Sequence, residues 1–190
     1  MELTRILESC REGDELAWEM LVRQYQGRVF AIAMTYVADR DEAHDLAQDI
    51  FVRIYRNLDS CREADRFLPW LVRIARNASV DHLRRRKARP PVRDIPVEEV
   101  WNLAATTPSP EDDCESSSRR RLLMAAMQRL SSINREIILL KDMQGLPLEE
   151  IAGLLELPLG TVKSRSSRAR VELAQVVREL MTPPGREATA

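Results

Sequence analysis

The chain has 190 residues, is 44% hydrophobic and 5% aromatic, and contains six glycines, a composition that suits helices better than a sheet. Its formal net charge of −1 leaves global charge silent on nucleic acid, but the total hides an asymmetry. Lys plus Arg against Asp plus Glu is 17 to 15 over residues 1–93, 0 to 7 over 94–118 and 12 to 8 over 119–190, so two mildly basic blocks flank a wholly acidic connector.

Cys10, Cys61 and Cys114 are odd in number and contain no CxxC, which argues against a disulfide framework and a structural zinc site. His44 and His82 are too few and too far apart for a metal centre and read as surface or cap residues. The N-terminus has no apolar h-region, and the longest apolar stretch, Val29–Ala38, is interrupted by Thr35 and is about half a membrane span. The expectation is a cytoplasmic protein with no membrane insertion, no metal and no cofactor.

Leu3, Ile6, Leu7 and Cys10 predict a short amphipathic helix ending near Gly13. Asp14 is the expected N-cap of the next helix, which runs to about Val37 with Leu21, Val22, Tyr25, Val29, Ala33 and Tyr36 inward. After the turn Asp39-Arg40-Asp41, residues 42–58 carry the cleanest periodicity in the chain. Ala43, Leu46, Ala47, Ile50, Phe51, Ile54, Tyr55 and Leu58 form one stripe, with Glu42, Asp45, Gln48, Asp49 and Arg53 on the other face. Residues 59–65 read as a polar loop. A fourth helix follows over about 67–87, burying Leu71, Ile74, Ala75, Ala78 and Leu83, with Pro69 tolerated in its first turn. Six cations between Arg84 and Arg93 exceed what a helix C-terminus needs, so a phosphate-facing patch and a solvated terminus are both open readings.

Pro90–Ser118 holds five of the ten prolines and is expected to be extended or disordered, interrupted by an apolar patch at Val97, Val100, Trp101 and Leu103. From Arg119, Leu122, Leu123, Ala126, Met127 and Leu130 stripe one helix. Ser131 or Ser132 caps the next, striped by Ile137, Ile138, Leu140 and Met143 and stopped at Gly145. The fold class is thus all-α, two small helical domains (1–92 and 119–182) joined by a flexible acidic linker (93–118), with a loose tail at 183–190.

Residues 147–174 carry the strongest single pattern. Leu148, Ile151, Ala152 and Leu155 make one short apolar face, Glu156-Leu157-Pro158 breaks it, and a second run places Val162, Ser166, Ala169 and Leu173 inward. The outward face of that run is Thr161, Lys163, Ser164, Arg165, Ser167, Arg168 and Arg170, cations mixed with short hydrogen-bonding side chains. This describes a helix-turn-helix with a major-groove recognition helix, or an ordinary helical hairpin with a solvated basic face. No His/Cys/Asp cluster, Gly-rich phosphate loop or Ser elbow points to an enzyme.

Four stretches, in order, resemble the extracytoplasmic-function (group four) sigma factors of bacterial RNA polymerase, a branch of the sigma-70 family. They are DLAQDIF at 45–51, FLPWLVRIARN at 67–77, DHLRRR at 81–86, and GTVKSR with RAR at 160–170. The resemblance spans about residues 14–180. It implies a non-catalytic promoter-specificity subunit, monomeric when free, that binds core RNA polymerase and promoter DNA and is held by an anti-sigma protein. It further implies that Asp45, Gln48, Asp49 and Arg53 dock on the beta-prime clamp helices and that the second domain reaches the beta flap. Ser60, Cys61, Arg62, Arg66, Trp70, Arg73, Arg76, Asn77, Arg84 and Arg85 would take the minus-ten element as separated strand, with one base flipped out. Thr161, Lys163, Ser164, Arg165, Ser167 and Arg168 would read the minus-thirty-five element as duplex.

Three residues depart from the family pattern. Cys61 stands where an aromatic is common, which would alter the base pocket. Glu156 stands where glycine or asparagine is usual, and Ser166 replaces an inward leucine, at an expected loss of about 1–3 kcal/mol of burial. The rival reading is a dimeric helix-turn-helix activator or repressor with an N-terminal sensing domain.

Overall fold

In a computed structural model that describes residues 3–37, 39–88 and 112–182, an apolar stripe on each helix assembles the core. Asp14 and Asp39 cap their helices through the side chain, whereas Ser131 stands at an N-cap without such a bond, and Pro147 and Pro158 precede the last two helices. The elements are α1 (Leu3–Arg11), α2 (Glu15–Tyr36), α3 (Arg40–Asn57), two 3-10 turns (Leu58–Ser60 and Ala64–Arg66), α4 (Phe67–Ala88), α5 (Asp112–Arg129), α6 (Ser132–Ile138) running into a π-helical turn (Leu139–Met143), α7 (Leu148–Leu155) and α8 (Leu159–Met181). No strand occurs among the described residues. Contacts divide the chain into two units, one within 1–104 and one within 105–190. Residues 89–111, most of the expected linker with its apolar patch, and the tail at 183–190 lie outside the described residues.

In the first unit, Asp14 caps α2 by accepting from Leu16 N at 2.9 Å and Ala17 N at 3.2 Å, as its residue type leads one to expect. Asp39 does the same for α3 through Glu42 N at 2.8 Å, so that helix opens at Arg40 inside the expected turn. α2 packs on α1, α3 and α4, and α3 packs on α4. Leu7, Leu21, Ile32, Leu46, Ile50, Ile54, Phe67 and Leu71 are fully buried between them. Thr35 in the last turn of α2 and Ser79 midway along α4 are buried but give their hydroxyl protons to Ala31 O and Ala75 O, both at 2.8 Å, so neither is an unmet polar group. Tyr55 departs from the expected stripe. It is 54% exposed, with its ring in an edge contact at 5.0 Å with that of the half-buried Trp18. Ile74 and Leu83 are half-buried rather than core, because α4 turns those positions toward its open side.

In the second unit, α5 begins at Asp112, earlier than the expected Arg119, and so takes in the end of the expected linker. Met124, Ala126 and Met127 of α5, Leu130 just after it, and Ile137, Ile138, Leu139 and Leu140 are all buried, with α5 and α6 each packed on α8. Arg135 secures the corner between α5 and α6. Its guanidinium donates to Met127 O at 2.8 Å, Gln128 O at 2.8 Å, Leu130 O at 3.2 Å and Gln128 Oε1 at 2.7 Å, answering the carbonyls that a helix end leaves unpaired. Burial lowers its pKa. The chain leaves the π-helical turn through Gly145 at φ +78, with Leu146 N returning to Leu140 O at 3.0 Å.

The break between α7 and α8 is made by Glu156 at φ 55 and ψ 40, the left-handed conformation, with Leu157 N bonded back to Ala152 O at 3.0 Å. A side chain with a β-carbon is strained there by about 1 kcal/mol. Glu156→Gly should therefore raise the stability of the second unit by about 1 kcal/mol, less the extra chain entropy that glycine brings to the unfolded state. A later urea midpoint for the variant full-length chain is the expected reading, and an earlier one would show that the left-handed residue is not strained.

Candidate nucleic-acid interface

The end of α3, the first 3-10 turn and the start of α4 enclose a cleft of about 280 Å³ lined by Arg53, Asn57, Ser60, Trp70, Arg73, Ile74 and Asn77. Its shape follows from one hydroxyl. Ser60 Oγ donates to Asn57 O at 2.7 Å and accepts from the Trp70 indole N–H at 3.0 Å, tying the end of one helix to the start of the other. Trp70 is 7% exposed, with its ring 5.7 Å from that of Phe67, so the indole forms a fixed wall of the cleft. Above it, Arg73, Asn77 and Arg84 recur at i, i+4 and i+11 on the exposed side of α4, a row about 16 Å long. Arg85 is also exposed, on an adjoining strip, and Arg76 is half-buried.

The structure does not gather every minus-ten candidate. Cys61 is 3% exposed and its thiol points to Glu63 O at 3.6 Å, so it lies in the core and not in the cleft wall. Burial pushes the Cys61 thiol pKa up, and its backbone carbonyl is held by the Arg11 guanidinium. Arg66 is exposed and paired with Glu63 at 3.0 Å, and Arg62 is exposed on the same loop, both outside the residues that line the cleft. Two residues of the cleft escaped the sequence reading, Asn57 and Ile74. Asn57 closes the last turn of α3, its amide donating to Arg53 O at 2.7 Å, and only the fold brings it to Trp70.

Arg53 belongs to this cleft by position, apart from the acidic residues it was grouped with. It pairs with Asp81 of α4 at 3.3 Å. Asp45, Gln48 and Asp49 instead form an exposed strip on α3 whose continuation at i+7 from Asp45 is Val52, 47% exposed. A lone valine amid carboxylates and an amide carries no helical periodicity of its own, which is why the pattern did not mark it. Glu42 closes the other end of α3, meeting His82 Nε2 at 2.7 Å and Arg86 Nη1 at 3.0 Å, so Arg86 is engaged with the protein.

In the second unit, Val162, Ser166 and Ala169 are the buried side of α8, and Lys163, Ser164, Ser167 and Arg168 are exposed, with Thr161 and Arg165 half-buried at the flanks. The six candidate residues of this helix thus lie off its buried stripe on one basic, hydroxyl-bearing surface. The hydroxyls bond within the helix, Ser164 to Thr161 O at 3.0 Å and Ser167 to Lys163 O at 3.4 Å, which orders them. Arg168 folds back onto Ser164, at 3.4 Å from its carbonyl and 3.3 Å from its hydroxyl, both long bonds that a better acceptor would displace. Arg170 is turned aside by a two-pronged pairing with Asp142. Ser166, 1% exposed, accepts from Lys141 Nζ at 3.1 Å and so is not left as an unmet polar group.

Among the described residues no cluster of His, Cys, Asp or Glu is placed to hold a metal ion, and no helix is long and apolar enough to cross a membrane. The family models for Sigma-70 region 2 and Sigma-70, region 4 match residues 21–89 and 120–173, the two stretches that carry the cleft and the basic helix. The ECF RNA polymerase sigma-E factor of Haemophilus influenzae is 33% identical over 93% of this chain and 95% of its own length. The RNA polymerase sigma-H factor of Pseudomonas aeruginosa is 31% identical over 93% and 94%. In fold, the chain is similar to the sigma factor RpoE of Bartonella quintana, solved with the anti-sigma factor NepR (TM-score 0.63, 24% identity, 84% of this chain and 96% of that one). It is also similar to CnrH, solved with the cytosolic domain of CnrY (TM-score 0.61, 21% identity, 92% and 96%). Matches to both regions do not favour a dimeric regulator with a sensing domain. The chain belongs to the extracytoplasmic-function sigma factors, RNA polymerase subunits that direct promoter-specific transcription initiation.

Proposed function

We propose that the chain binds core RNA polymerase through α3, takes the minus-ten element as separated strand at the α3–α4 cleft, and reads the minus-thirty-five element as duplex with α8. The observation that carries this is the cleft itself. The accessible edge of the Trp70 indole and the half-buried Ile74 give the cleft an apolar part for an unstacked base, beside Arg73 and Asn77, and Arg84 further along α4 adds a cation for its phosphates. Arg53 and Asn57 add hydrogen-bond donors at the rim. The chain catalyses nothing. It stabilises opened DNA by binding energy alone, so its surfaces must be ordered before DNA arrives.

The acidic strip of Asp45, Gln48 and Asp49, continued by the exposed Val52, suits a basic helical partner. The valine supplies the apolar contact that dominates affinity, and the carboxylates supply steering. This is the face for the beta-prime clamp helices, with the second unit meeting the beta flap. The relatives' structures with anti-sigma proteins support an anti-sigma partner for this chain as well, covering the same surfaces and leaving a cytoplasmic monomer when it departs.

Run-off transcription with core enzyme and a cognate promoter tests the reading. Asp45→Lys together with Asp49→Lys should lower capture by core more than tenfold, because reversed charge meets a basic surface. Full stimulation by the double variant would contradict it. Arg168→Ala should weaken promoter binding by the holoenzyme by about 1–3 kcal/mol and relax selection at one base position. Arg85→Ala should instead weaken all sequences evenly and flatten the salt dependence by about one unit of log–log slope. Competitive binding on a promoter library at two salt concentrations separates the two, and a base-specific effect of Arg85→Ala would count against its placement on the backbone.

A further inference from the structure

We propose that Lys141 is a positioning residue for base reading by α8, setting the rotation of that helix about its own axis through the hydroxyl of Ser166. The inference rests on the reading of α8 as the duplex-reading helix.

The inward side chains of the first half of α8 are Val162, Ser166 and Ala169, none longer than valine. Small side chains allow close approach but interlock weakly, and ridge-into-groove packing fixes helix rotation only as far as the ridges stand out. Something directional has to make up the difference. Lys141 Nζ donates to Ser166 Oγ at 3.1 Å, and the neighbouring Asp142 pairs with Arg170 one turn further along α8. Two consecutive residues of one segment thus hold positions 166 and 170 of the helix, which lie at i and i+4 on one flank.

The backbone explains how consecutive residues manage this. In an α-helix neighbours diverge by about 100° and point to different partners. Leu139–Met143 is π-helical, with Gln144 N bonded to Leu139 O at 2.9 Å. Its i→i+5 bonding winds the chain through a smaller angle per residue, so Lys141 and Asp142 diverge less and both reach α8. Such bulges are uncommon and concentrate at functional sites.

The magnitude favours a role in specificity. A helix with side chains is about 10–12 Å across, so a rotation of ~20° moves its outer surface by about 2 Å. Hydrogen bonds to base edges are made within a window of about 0.5 Å. A rotation too small to disturb packing would therefore displace Lys163, Ser164 and Arg168 out of register with the groove. The Lys141–Ser166 bond is directional, whereas an aliphatic pair is not. Serine at 166 thus replaces a packed side chain by an angular restraint.

The test uses holoenzyme assembled with the full-length chain, transcribing a promoter library randomised over the minus-thirty-five element with the minus-ten element held constant. Lys141→Met should reduce the preference for the favoured minus-thirty-five bases by about fivefold, the scale of one weakened base contact, while core capture stays unchanged. Lys141→Arg, which keeps a cationic donor, should restore the preference. The double variant Lys141→Met with Ser166→Leu should recover the stability of the second unit, read by urea denaturation, but not the original base profile. A base profile unaltered by Lys141→Met, or altered only in proportion to lost stability and restored by the double variant, would overturn the inference and leave the recognition-helix reading standing. A wild-type chain with no minus-thirty-five preference would overturn both.

Discussion

Burial of one apolar stripe on α4 and another on α8 holds both cation-bearing faces of the protein, because a row of guanidinium groups repels itself and cannot order the helix that carries it. On α4 that stripe is Phe67, Leu71, Ala75 and Ala78, fully buried against α2 and α3. On α8 it is Val162 and Ala169, with Ser166 between them. The outward side chains are thereby presented without being used for stability. Binding energy can then go into DNA contacts rather than into ordering the surface that makes them.

Polar ties refine what burial has set. The Ser60 hydroxyl fixes the spacing between Asn57 and Trp70, and Asp81 and Glu42 restrain Arg53 and Arg86. Asp142 does the same for Arg170. The three ion pairs engage Arg53, Arg86 and Arg170 with the protein, and Arg73, Arg84 and Arg85 on one unit and Lys163 and Arg168 on the other stay among the exposed cations, Arg168 held by no more than long bonds to Ser164. Exposed ion pairs of this sort add little to stability. Their effect is to decide which charges a nucleic acid meets.

Much of the architecture could be read from the chain. The stripe from Ala43 to Ile54, the cap at Asp14, the stop at Gly145 and the broken pattern around Glu156 each reflect local chemistry, and local chemistry is written in adjacent residues. The misplacements arise where the deciding contact is remote. Tyr55 fits the helical period, but its ring meets the half-buried Trp18 of α2 edge-on and stays exposed. Cys61 lies in a loop, where periodicity gives no face, and packing turns it inward. Arg53 shares a helix with Asp45 and Asp49, yet Asp81 on another helix draws it to the cleft. Asn57 and Lys141 are ordinary polar residues by sequence, and only their partners at Ser60 and Ser166 give them a role.

The central claim is that a strand-binding cleft and a duplex-reading helix on one chain act together only when core polymerase holds them on the same promoter. Permanganate reactivity of the minus-ten thymines on a cognate promoter, measured with the chain alone, core alone and both, tests it most directly. The account predicts reactive thymines only with both present, and their loss when Trp70 is replaced by alanine in a chain shown to stay folded and bind core. Opening by the chain alone, or a closed minus-ten element in a holoenzyme bound at that promoter, would contradict it.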